Sequence, residues 1–259
     1  MKKFICMIAV MITACILINT GVYAADSEIV CKKKSTGEFK GNYSIMGNIT
    51  IDFTSKYPVF SIKGNKKATK AMNNTIYSQS VIEPNTVLGM GYNLYGILED
   101  TDATVELLYK GAARRGNLYS TSFSLQATAP DTIPVNVYKV LTFNLKNGAA
   151  ISNESELFKN PDKAAAYIAK KCIKLSNKYK AEFESGKSKK GFFMDGVTAD
   201  DVKKLISVGN IRFDKKGITV IFDETKGLSA HAAGVIEMTV SYKDIKKYLT
   251  AETIKCLAL

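Results

Sequence analysis

The chain has 259 residues, 46% of them hydrophobic and 23% charged, with a formal net charge of +12. That length and apolar content exclude a disordered tail and allow one sizeable core or two small ones. The positive balance favours acidic partners, and the single histidine leaves little material for imidazole-based chemistry.

The N-terminus reads MKKFICMIAVMITACILINTGVYAADSE. Lys2 and Lys3 form a positive n-region, Phe4 to Ile18 an apolar run of fifteen residues, and Val22-Tyr23-Ala24 a signal-peptidase site before Ala25. The run is too short to span a bilayer comfortably. Residues 1–24 therefore read as a cleaved signal peptide. The alternative is a lipobox at Ile12-Thr13-Ala14-Cys15, with Cys15 lipidated, although Ile16-Leu17-Ile18 continues the apolar run where a lipoprotein normally turns polar. Either way the bulk of the chain is expected outside the cytoplasm, periplasmic or extracellular, as a monomer with no transmembrane helix.

Cleavage removes two lysines and no acid, leaving 235 residues at +10. The partners this favours are anionic envelope polymers, lipid headgroups or an acidic protein. Nucleic acid is not expected, because no recognition motif accompanies the charge. The mature chain keeps Cys31, Cys172 and Cys256. An odd number permits one disulfide and leaves a free thiol, and the other reading is three buried, reduced cysteines. No C-x-x-C occurs, which removes a thioredoxin-like or zinc-ribbon site.

Along the chain, YSIMGNITIDFTSKYPVFSI (43–62) alternates like strands, with Pro58 marking an edge or a bulge. Residues 66–81 place Ala68, Ala71, Met72 and Ile76 at helical spacing. Residues 104–112 and 117–128 read as strands around Arg115-Gly116. The run Ala129-Pro130-Asp131-Thr132-Ile133-Pro134 is the densest turn signal, and VNVYKVLTFNLKNGAAI (135–151) resumes as strand with Asn147-Gly148 as a turn.

Ser152 or Asn153 caps a helical region over 154–184, which Pro161 splits, with an apolar stripe through Ile168, Cys172 and Tyr179. Gly186-Lys187-Ser188-Lys189-Lys190-Gly191 is a basic loop. Thr198 caps a short helix, 211–223 is a hairpin around Lys215-Lys216-Gly217, and 235–249 is a strand turning into a helix. Strands and helices come in clusters without βαβ alternation. That predicts an α+β fold, with mainly antiparallel sheets packed with a few helices in two small subdomains, 25–130 and 131–259.

The second half, TFNLKNGAAISNESELF (142–158) with IRFDKKGITVIFD and LSAHAAGVIEMTVSYKDIKKYL, resembles the C-terminal extracytoplasmic domain of RsiV-type anti-sigma factors. The segment ITIDFTSKYPVFSIKGNKKATKAMNNTIYSQ (49–79), with Tyr57-Pro58 and Asn73-Asn74-Thr75-Ile76, is similar to the companion domain of PdaC-type peptidoglycan deacetylases. The resemblance covers most of residues 45–250. It implies an envelope binding domain pair whose ligand is a lysozyme-like protein or a peptidoglycan-related polymer. The chain departs from the family pattern in two places. Gln126-Ala127-Thr128-Ala129-Pro130-Asp131 stands where members often carry Gly-Gly-Ala-His, and His231 stands where they prefer an aromatic. With one histidine, the metal site of the deacetylases is not expected, and no sigma-binding segment precedes the leader.

No G-x-S-x-G elbow accompanies His231, and no dinucleotide or P-loop spacing occurs. Glycosidase chemistry needs two carboxylates. Asp223-Glu224 and Asp200-Asp201 are available, but adjacent residues in a strand point to opposite faces, and both pairs read as solvated turns or a helix N-terminus. The expectation is a non-catalytic, cofactor-free envelope binding protein. A carboxylate-dependent wall hydrolase and a chaperone-like periplasmic protein are the alternatives. Lys187, Lys189 and Lys190, with His231, form the candidate ligand-binding set, although His231 by itself reads as a packing or surface imidazole. The only dense acidic run is Glu99-Asp100-Thr101-Asp102 with Glu106.

Overall fold

The computed structural model describes residues 29–45, 49–80, 103–130, 134–229 and 234–259. The fold is α+β, as expected. A five-stranded sheet takes β1 (Cys31–Ile45), β2 (Ile49–Ile62), β3 (Ala103–Arg115), β4 (Leu118–Thr128) and β5 (Val135–Asn144) in that order. A second sheet orders β6 (Ile211–Phe213), β7 (Gly217–Phe222) and β8 (Ile236–Ser241). All pairings are antiparallel except β2–β3, which runs parallel from Ile51↔Ala103 to Lys56↔Leu108. A parallel pair needs a crossover, so one βαβ connection exists where the sequence pattern suggested none. β5 lies beyond residue 130 yet pairs along β4, so the expected 130/131 division falls between two neighbouring strands of one sheet.

The crossover carries α1 (Lys66–Ser80), which buries Ala68, Met72 and Ile76, the spacing read from the sequence. These residues pack on Phe53, Phe60, Phe123 and Phe143 in the first core. The second core lies between the small sheet and α3 (Pro161–Glu184), with Ile168, Cys172, Phe213, Phe222 and Met238 at its centre. Before α3, the single turn α2 (Glu154–Leu157) is held by a capping box in which Asn153 and Glu156 satisfy each other's backbone N–H groups. Asn160 caps α3, and Pro161 occupies its first position, where no N–H is needed. α4 (Ala199–Leu205) starts at the Thr198–Asp201 box. α5 (Tyr242–Ile245) and α6 (Ala251–Leu257) finish the chain.

β4 is covered on both sides. Its odd positions Phe123, Leu125 and Ala127 enter the first core, and its even positions Leu118, Ser120, Ser122 and Ser124 are buried toward the second unit. The serines are small enough for β6 to cross close by, and the Phe213 N–H donates to Ser120 Oγ at 3.0 Å.

In β2 the buried positions change from odd (Ile51, Phe53, Ser55) to even (Pro58, Phe60, Ile62) at Tyr57-Pro58, just where β3 stops pairing at Lys56. Beyond that point α1 replaces the missing strand. Asn73 accepts from Phe60 N–H at 2.9 Å and donates to Phe60 C=O at 2.8 Å. Thr69 Oγ1 accepts from Ile62 N–H at 2.9 Å. The Asn73 amide therefore does the work of a strand's peptide group. Asn73→Ala should lower stability by about 1–3 kcal/mol, seen as a lower urea midpoint at unchanged slope. Ser78→Ala, on the exposed side of the same helix, should change it by less than about 0.5 kcal/mol.

Candidate functional site

Lys187, Lys189 and Lys190 are exposed in the irregular segment after α3, and Lys190 Nζ lies 4.6 Å above the Tyr179 ring. His231, expected beside them in the binding set, lies outside the described residues, as does the run Glu99-Asp100-Thr101-Asp102.

The candidate carboxylates have structural duties. Asp223 is 2% exposed, and its Oδ2 accepts the Tyr138 N–H at 2.9 Å, while Glu224 accepts from the Asn136 N–H. Both acids therefore satisfy the outer edge of β5. The expectation of solvated acids pointing to opposite faces is corrected here: the strand ends at Phe222, and the chain turns so that both carboxylates reach the same neighbouring strand. Asp200 and Asp201 do sit in the first turn of α4, exposed, as read. Arg212 is likewise committed. It forms a two-pronged pair with Glu237 at 2.9 and 2.8 Å and reaches Asp214 at 3.1 Å, tying the small sheet together.

Cys31, Cys172 and Cys256 are all free thiols, so the disulfide allowed by the sequence is not formed. Burial pushes Cys31 up to about 11 and Cys172 up to about 12, and burial with a hydrogen bond to Glu252 also raises Cys256. None is a thiolate at neutral pH, so none is an activated nucleophile. Cys256 lines a cleft of about 280 Å³ with Asn144, Asn147, Glu156 and Glu252. There Glu156 is occupied by its capping box, and the protonated thiol offers no base a productive partner. Among the described residues no group of three His, Cys, Asp or Glu side chains can hold a metal ion.

The surface that gathers chemistry is the outer face of α3. At about 100° per residue, Lys163, Tyr167, Lys170, Lys171, Lys174 and Lys178 fall within an arc of about 100°, beside the buried stripe. From Lys163 to Lys178 this basic stripe is about 22 Å long. The α5 region extends it. The Tyr167 and Tyr248 rings lie 4.8 Å apart, and Lys247 Nζ sits 5.2 and 5.0 Å from their centroids. Lys171 Nζ lies 5.4 Å over Tyr167 and donates to Asp244 Oδ1 at 2.9 Å. Hydrogen bonds from Lys171 and Ser241 hold the Asp244 carboxyl below its ordinary value, so it stays charged and anchors the cluster. The result is a tyrosine platform framed by cations. The lysine spacing was present in the sequence, but the apolar stripe was the only period read there.

No protein family matches the chain by sequence, and no curated protein does either. Among solved structures, one from Pseudomonas aeruginosa PAO1, a DUF3298 family protein, aligns with TM-score 0.50 and 10% identity over 88% of this chain and 97% of the other. The fold is DUF3298-like. A second DUF3298 family member, from Bacteroides fragilis NCTC 9343, aligns with TM-score 0.49 and 12% identity over 88% and 96% of the two chains. The domain family has no assigned function, so the likeness concerns architecture alone.

Two measurements check these assignments. Asp223→Ala should lose about 1.5–3 kcal/mol of stability, because the Tyr138 N–H loses a charged acceptor, while Asp200→Ala should lose less than about 0.5 kcal/mol. Native protein should take up a thiol reagent only slowly and at Cys31. The denatured mature chain should take up three labels by intact mass, and a disulfide would reduce that to one.

Proposed function

We propose that this is an exported, non-catalytic envelope protein that binds a linear anionic polymer of the peptidoglycan-associated kind along α3. The observation that carries the reading is the basic stripe ending in the Tyr167–Tyr248 platform. Lysines spaced along one helix face meet repeating negative charges, and the half-buried Tyr167–Tyr248 pair sets aromatic surface beside them for sugar rings. The leader at residues 1–24 supports an envelope location. So does the resemblance of the two halves to PdaC-type and RsiV-type domains, which occur in envelope proteins.

A lysozyme-like partner is the second reading, resting on the RsiV-type resemblance. Common lysozymes are basic, and a partner at +12 or +10 repels them unless a local acidic patch compensates. Charge therefore ranks the polymer first.

The test is retention of the protein on purified cell wall and on immobilised lysozyme, at low and moderate salt. Wall retention should fall with salt, and Lys163→Ala/Lys170→Ala/Lys174→Ala should weaken it about tenfold or more. Tyr248→Leu should weaken it by about five- to thirtyfold without changing the salt slope. Retention indifferent to salt and to the triple variant would refute the polymer reading, and tight lysozyme capture in its place would establish the second.

A further inference from the structure

α3 carries its apolar stripe one turn further than the core beneath it. Cys172, Ser176, Tyr179 and Phe183 lie on one helix face at about 100° per residue. The first three are buried, and Phe183 is 53% exposed. The chain reverses at Gly186, whose φ of +70° suits a residue without Cβ. It then returns along the helix end with Gly191 against Ile236 and Phe193 buried, the Phe193 N–H donating to Ser176 Oγ at 2.7 Å. Phe193 turns inward, Phe192 is half-buried against the edge of the second core, and Met194 turns outward. Phe192 meets Phe183 at 5.4 Å between ring centroids, and Met194 is 46% exposed. Only four large apolar side chains are exposed among the described residues, and this tip holds two of them.

The tip is rimmed by positive charge. Lys187 and Lys189 are exposed, and Lys190 stands over Tyr179. Of the nearby acids, Glu182 pairs with Lys178 at 3.5 Å and Asp195 with Lys180 at 2.6 Å, which leaves Glu184 against three lysines. An apolar point ringed by cations fits a layer that is apolar inside and anionic at its face. A polysaccharide supplies the charge but no apolar layer. A second copy of the chain would bring the same lysines face to face, and three side chains fall far short of the ~800 Å² per partner of a stable protein interface.

We propose that this tip docks on an anionic phospholipid surface, with Phe183, braced by Phe192, and Met194 entering the headgroup boundary and Lys187, Lys189 and Lys190 meeting the phosphates. Docking is peripheral, since among the described residues no helix is long and apolar enough to cross a membrane. The tip lies about 24 Å along α3 from Tyr167 and about 7.5 Å from Lys178, the near end of the stripe, so the two proposed ligands meet different side chains of one helix.

The chain contains no tryptophan, so Phe183→Trp places a single, selectively excitable indole at the tip. Its emission should shift to the blue with phosphatidylcholine vesicles containing phosphatidylglycerol and stay unchanged with phosphatidylcholine alone. Met194→Trp is the second reporter if the first fails to fold. In vesicle sedimentation, Phe183→Ser/Met194→Ser and Lys187→Ala/Lys189→Ala/Lys190→Ala should each weaken binding by about tenfold or more. Both tip variants should keep wall retention, and the stripe variant Lys163→Ala/Lys170→Ala/Lys174→Ala should keep vesicle binding, so this proposal and the polymer reading fail separately. Three outcomes overturn the proposal: sedimentation without a blue shift, undiminished vesicle binding by Phe183→Ser/Met194→Ser, or a tip that self-associates and ignores lipid.

Discussion

Among the described residues, three strand edges are closed by side chains rather than by further strands, and the rest of the structure depends on that substitution. β2 outruns β3, and Asn73 with Thr69 from α1 take up the peptide groups left over. β5 ends the large sheet, and Asp223 with Glu224 accept its outward N–H groups. β6 edges the small sheet, and Ser120 accepts its Phe213 N–H. Buried peptide groups without partners are costly, so each of these side chains is tied to one register of the strand it serves. The two acids and the serine also join the sheets: the acids reach β5 from the turn that follows β7, and Ser120 of β4 meets β6.

This arrangement explains the composition of β4. A strand covered on both faces usually reads as a continuous apolar run. Here three successive residues of one face, Ser120, Ser122 and Ser124, are serines, because β6 crosses where a larger side chain would hold the sheets apart. Ser120 is matched by Thr142 at 2.8 Å and by Phe213 N–H. The Ser122 hydroxyl has no partner among the described residues, so that residue serves by its size.

How much of this the sequence disclosed follows from the same physics. Periodic burial was legible: Ala68, Met72 and Ile76 located α1, Asn153 and Thr198 located two helix starts, and Lys215-Lys216-Gly217 located the β6–β7 hairpin. β1 was largely missed, since CKKKSTGEFKGN is a polar edge strand, and lysine on an edge strand is what discourages pairing with a second chain. The parallel register of β2 and β3 has no local signature, because the crossover separates the partners. Asp223 and Glu224 were read as solvated because a neighbouring strand 85 or more residues away in sequence leaves no trace in local pattern. Three of the proposed ligand residues, Lys187, Lys189 and Lys190, stood out as a run of like charge. The α3 stripe did not, because its lysines are scattered in sequence and meet only when wound at the helical period.

α3 thus answers to three environments at once. Its buried arc must match the small sheet, which accounts for Ala164, Ala169 and Cys172 where the packing is close. Its outer arc carries lysines three and four residues apart, which sets like charges side by side at some cost to the helix and presents a line of charge along it. Its last turn continues the apolar period after the sheet has run out. A stripe serving only the core would stop at Tyr179, where the burial stops. Phe183 continues the pattern into solvent, and the returning chain braces it with Phe192 rather than covering it. Among the described residues its only ring contact is with Phe192 at the core's edge, which leaves half of its surface for the proposed anionic, apolar-centred layer.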